Sequence, residues 1–111
     1  MVRMSGKPAP QRFAACADDS ETLARAVLSL ESVEEVRDFL NDLCTPAELR
    51  AFNERFKVAR LLDEAKMSYR EISEATGAST TTVTRVARFL REMPHQGYRL
   101  VLDRMKTETK K

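Results

Sequence analysis

The run SYREISEATGASTTTVTRVARFL, residues 68–90, limits what this chain can fold into more than any other stretch. Ser68 followed three residues later by Glu71 is a capping box, in which a hydroxyl and a carboxylate satisfy the free N–H groups of a helix start. The spacing predicts a short helix through Thr76, with Ile72 and Ala75 facing inward. Gly77 stops it, because the left-handed backbone at a helix C-terminus is easiest for glycine. Ser79 then caps a second helix from Thr80 to about Arg91, and Pro94 breaks the chain beyond it. So tight a turn sets the two helices at a steep angle, and the pair reads as a helix-turn-helix. Ile72, Val83 and Val86 fall where the helices must lock together. Ser73 is small where they would approach most closely.

The second helix divides into two faces when projected at roughly 100° per residue. Val83, Val86, Ala87 and Leu90 gather in an arc of about 240–340° counted from Thr80. Thr80, Thr81, Thr84, Arg85, Arg88 and Arg91 fall between about 0 and 140°. Short hydroxyl side chains let a helix sink into a DNA major groove. Hydroxyls bond base edges or phosphates, threonine methyls touch thymine methyls, and arginine grips guanine or phosphate. A helical hairpin with a merely solvated face would have little use for three consecutive threonines, which are poor surface residues in a helix. Ser79 at the cap and Ser73 on the first helix complete the candidate groove contacts. Lys66, Ser68 and Arg70 cluster at the start of the first helix, where free amides and the positive dipole end suit a phosphate, and Tyr69 adds a hydroxyl there. Taken singly, Lys66 and Arg70 read almost equally well as surface charges.

Charge supports the same half of the chain. Residues 1–65 hold nine Lys/Arg and twelve Asp/Glu, whereas residues 66–111 hold ten and five. The net charge of +2 therefore conceals a basic C-terminal half, which suits a polyanion.

The remaining sequence reads as capped helices. Residues 1–18, with Gly6, Pro8 and Pro10, read as a flexible arm. Ser20 precedes Leu23, Val27 and Leu30 on a short amphipathic helix. Ser32 and Glu35 form a capping box before the stripe Val33, Val36, Leu40 and Leu43, which Phe39 widens. Thr45, Pro46 and Glu48 start a longer helix bearing Leu49, Phe52, Phe56, Ala59 and Leu62, expected to run to about Ala65. A last helix over about 96–106 offers Leu100, Val101 and Met105. No stretch alternates with period two, so the chain is expected to be all-α. With 111 residues it makes one domain, expected over 19–108. Within it, residues 66–92 form the helix-turn-helix.

Several function classes fall away. His95 is the only histidine, and no carboxylate pair, nucleophile–base set or phosphate-cradling glycine loop is present, so no enzyme is expected. Cys16 and Cys44 match no zinc or redox spacing, and neither a metal nor another cofactor is expected. No window is apolar enough for a membrane span or signal peptide. A reduced, cytoplasmic, nucleoid-associated protein is expected.

The run LCTPAELRAFNERFKVARLLDEAKMSYREISEATGASTTTVTR, residues 43–85, resembles the Trp-repressor family, specifically its Trp-repressor-related branch. The Thr45-Pro46 start, Arg55, the Met67-Ser68-x-Arg70-Glu71 step and Thr82-Val83-Thr84-Arg85 carry the likeness, which extends loosely over residues 20–106. The resemblance implies six helices in an intertwined homodimer, with residues 19–65 and 96–106 supplying the dimerisation helices. It implies a regulator, with repression the expected role, that binds double-stranded DNA at an inverted repeat. Thr45, Arg55 and Arg85 match positions that line the ligand site of the tryptophan-sensing member. Val86 stands where that member has Gly, and Phe89 where it has a small Ser, so both are expected to block the pocket. Tryptophan is therefore not expected to bind, and no small-molecule corepressor is expected. Ser73, Thr80 and Thr81 also differ from that member, so another operator is implied. Two alternatives remain: a repressor gated by another small molecule at Thr45, Arg55 and Arg85, or an interaction module of this fold that does not bind DNA.

Overall fold

The computed structural model describes residues 19–109, and within them every regular element is a helix. In chain order these are α1 (Asp19–Leu28), α2 (Val33–Leu43), α3 (Pro46–Glu64), α4 (Tyr69–Thr76), α5 (Thr80–Arg91) and α6 (Gly97–Thr109). The arm expected over 1–18, with Cys16, lies outside the described residues. The chain divides into two units between Leu43 and Cys44.

In the first unit, α1 opens with Asp19 and Glu21 against the positive end of its dipole. Ser20 lies inside this helix and does not cap it. One turn along, Arg25 Nε donates to Glu21 Oε2 at 3.0 Å. The Ser32 hydroxyl accepts from the Glu35 N–H at 3.1 Å, as the spacing predicts. The return bond is displaced by one residue, because the Glu35 carboxylate accepts from the Glu31 N–H at 2.8 Å. No side chain of α1 or α2 is buried, and Leu28 and Val33 are 83% and 68% exposed.

The second unit holds the core. Thr45 and Glu48 bond reciprocally at the start of α3, with Pro46 in its first turn. The helix ends on Ala65, whose backbone is left-handed at φ 59° and whose N–H bonds the carbonyls of Leu61 and Leu62. Ser68 and Glu71 make the second complete box, at 2.8 and 3.1 Å, and Gly77 closes α4 at φ 84°. The core is Val58, Ala59 and Leu62 of α3, Ile72 of α4, Ala78 of the turn, Val83, Val86, Ala87 and Leu90 of α5, and Leu102 of α6. Among the described residues no polar side chain is buried. The inner face of α5 thus supplies the largest share of this core, as its projection predicts.

The inward face of α4 differs from expectation. Ala75 is exposed, and Thr76 takes the second inward position on α4 by folding its hydroxyl back onto the Ile72 carbonyl at 2.8 Å. On α6, Leu100, Val101 and Met105 are exposed, and Leu102 is the residue that enters the core. The helix carries two apolar stripes. Tyr98 and Leu102, one turn apart, face this core, while Val101 and Met105 form the other stripe. Charge then ties α6 to α3. The Asp63 carboxylate accepts from Arg99 at 2.8 Å and from Lys106 at 2.7 Å, and Arg99 also reaches Asp103 at 2.9 Å.

Candidate nucleic-acid interface

The turn between α4 and α5 is held by side chains as well as backbone. The Ser73 hydroxyl donates to the Ala78 carbonyl at 2.6 Å, and the Thr76 hydroxyl accepts from the Ala78 N–H at 3.1 Å. Both backbone groups of buried Ala78 are thereby satisfied by α4, which fixes where α5 begins. Ser73 therefore closes the turn, and its hydroxyl is not turned outward as a groove contact would require. Ser79 is similarly engaged: its hydroxyl accepts from the Thr82 N–H and donates to Thr82 Oγ1, each at 3.1 Å.

Beyond this fixed start, Thr80, Thr81, Thr84, Arg85 and Arg88 are all exposed and line one shallow depression of about 320 Å³. Among the described residues nothing bonds the hydroxyls of Thr80, Thr81 and Thr84, whereas Thr76, Thr82 and Thr107 all have hydroxyl partners. Nor does any carboxylate pair with Arg85 or Arg88. The helix itself contains no Asp or Glu. The result is a strip of unpaired donors, with methyl groups between them, on the side of α5 opposite the core.

A second cluster flanks it at the start of α4. Lys66, Ser68, Tyr69 and Arg70 are exposed there. The Ser68 hydroxyl is occupied by the capping bond. The Tyr69 hydroxyl accepts from Arg91 Nη1 at 3.2 Å, which links this cluster to the end of α5. Arg91 lies on the outer arc of the projected helix, and this bond sets it beside the start of α4. Its guanidinium adds a further cation to a surface that already carries Lys66, Arg70, Arg85 and Arg88.

Each residue matched to a ligand site has a contact close by in sequence. Thr45 caps α3. The Arg55 guanidinium lies 5.6 Å from the centroid of the Phe52 ring, and that of Arg85 lies 4.5 Å from the Phe89 ring. Val86 and Phe89 also part company. Val86 is 1% exposed within the core, so it acts as packing. Phe89 is half-buried and lines an open apolar hollow of about 590 Å³ with Phe56, Met93, Tyr98 and Val101.

Among the described residues, no helix is long and apolar enough to cross a membrane. A capped helix, a hydroxyl-bonded glycine turn and an outward helix free of acids define a helix-turn-helix protein. Residues 19–106 match the family described as Trp repressor protein. The uncharacterized protein YerC of Bacillus subtilis (strain 168) is 42% identical over 90 residues, which is 80% of this chain and 85% of YerC. The crystal structure of a TrpR like protein from Eubacterium eligens ATCC 27750 superposes with a TM-score of 0.75 at 38% identity, covering 86% of this chain and 96% of that one. The chain belongs to the Trp repressor family, a family of DNA-binding regulators.

Proposed function

We propose that this protein is a homodimeric transcription regulator, acting as a repressor, that reads an inverted repeat in double-stranded DNA and does not respond to tryptophan. The outer strip of α5 carries this reading. Three unbonded hydroxyls and two arginines without a carboxylate partner line one depression, with no acid on the helix. Such a face matches the acceptors, methyl groups and phosphates of a major groove. Lys66, Tyr69, Arg70 and Arg91 then grip phosphates beside the groove and set the register. Acting on DNA, the protein works with the nucleoid in the cytoplasm.

Dimerisation follows from what one chain leaves open. Leu23, Val27, Val33 and Leu43 of α1 and α2, together with Phe52 of α3 and Val101 of α6, are large apolar side chains between 44% and 68% exposed. Helices with such faces bury them against a partner. A second copy, carrying residues 19–65 and 96–106 into a shared core, is the partner proposed. Two recognition helices then meet half-sites about one DNA turn apart.

The test is fluorescence anisotropy on duplexes enriched from genomic DNA by the purified protein, at several salt concentrations. Nanomolar binding to the enriched duplex, far tighter than to random sequence, is expected. Micromolar or weaker binding without preference would overturn sequence-specific regulation. Titration calorimetry with tryptophan is expected to give no heat. Heat with another aromatic or indole acid would favour the gated form instead.

A further inference from the structure

We infer that Phe89 is a positioning residue whose ring holds the Arg85 guanidinium in the plane from which it meets DNA; the inference rests on the DNA reading above. Arg85 and Phe89 are one helical turn apart on α5, the spacing that brings side chains into contact. The guanidinium carbon stands 4.5 Å from the ring centroid, well inside the range of a cation–π contact. Phe89 is half-buried at the edge of the apolar hollow, whereas Arg85 is exposed and lines the depression with Thr80, Thr81 and Thr84. One ring therefore joins the packed side of the helix to its outer strip.

The chemistry allows both contacts at once. Stacking uses the flat face of the guanidinium, and its five N–H groups point outward in the perpendicular direction, within the plane. An arginine stacked on the ring keeps its donors free for a guanine edge or a phosphate. Without the ring, a side chain with many rotamers and no carboxylate partner must be ordered at the moment of binding. The nearest comparison in the chain, Arg55 over Phe52, is looser at 5.6 Å, and its ring is 45% exposed. Lysine at position 85 would keep the charge and lose the flat face that the ring supports.

The experiment measures Kd for the enriched duplex and for random duplex, using the full chain and five variants, one of them double. Phe89→Leu is expected to weaken binding to the enriched duplex about threefold for each recognition helix, and so about tenfold for a complex with two. Phe89→Tyr keeps the ring face and is expected to restore binding. Arg85→Lys is an exposed change that keeps the charge, and it should weaken binding as Phe89→Leu does while leaving the salt dependence unaltered. In an Arg85→Ala background, Phe89→Leu should have no further effect, a coupling that a purely structural role would not produce. Wild-type binding by Phe89→Leu, or an undiminished effect of Phe89→Leu beside Arg85→Ala, overturns the inference alone. Absence of duplex binding by the unaltered chain overturns the DNA reading and the inference together.

Discussion

Ala65 and Gly77 end successive helices with the same left-handed backbone, at φ 59° and φ 84°, and only one of them is glycine. An L-residue pays roughly 1–2 kcal/mol for that conformation. Ala65→Gly is therefore expected to stabilise the fold by about 0.5 kcal/mol, after the greater freedom of glycine in the unfolded chain is subtracted. Gly77→Ala should destabilise it by about 1 kcal/mol. The added methyl would meet nothing closer than a Glu54 oxygen at 4.0 Å, so backbone strain alone sets that effect. Denaturant midpoints at constant slope measure both. On the outer strip, Thr84→Ala should reduce discrimination between the enriched and random duplexes by about 1 kcal/mol. Lys66→Ala should weaken both duplexes alike and lower the salt slope by about one. Anisotropy titrations separate these outcomes. Ser73→Ala belongs to another class, since it removes the donor to the Ala78 carbonyl and leaves that buried group unsatisfied.

Among the elements, α6 is the one held most by charge. Only Leu102 enters the core, while Asp63, Arg99 and Lys106 bridge α6 to α3. The Asp63 side chain is 11% exposed, and the hydrogen bond from Lys106, followed by that from Arg99, holds its carboxyl below the usual carboxylate range. The folded chain thus binds this proton less readily than the unfolded one. The ion pairs contribute fully above the unfolded value of about 3.9, and the contribution is lost as pH falls through the lower folded value. Asp63→Asn should cost about 1 kcal/mol near neutrality, and the gap from the unaltered chain should close below about pH 4. Urea melts at pH 7, 5 and 3 test this. Helices α3, α4 and α5 were legible in the sequence because capping residues stand at their boundaries: Thr45, Ser68, Gly77 and Ser79 each mark an end. The inward face of α6 was less legible. Its pattern contains two stripes, and spacing does not say which stripe meets this core. Within the candidate site, the projection of α5 separated outer from inner residues. It carried no information on how Ser73 and Ser79 would spend their hydroxyls, because bonds to a turn carbonyl or a cap depend on where the chain bends.

For the whole molecule, the open apolar faces of α1 and α2 make self-association the central expectation. Thermal midpoints should rise with protein concentration, and light scattering should give twice the 12.6 kDa chain mass. Replacing Leu23 and Val27 with Asp should lower that mass and, with it, the affinity for an inverted repeat, since two half-sites are then no longer engaged together. Helix α5 keeps its two faces separate. Its inner residues Val83, Val86, Ala87 and Leu90 hold the core, while the hydroxyls of its outer threonines bond to nothing among the described residues. Changes on the outer strip are nearly silent for folding, so gene copies can diverge in target without first acquiring compensating substitutions. A regulator built this way can be retargeted by exchanging a few threonines and arginines, and its descendants should differ most where the fold depends on them least.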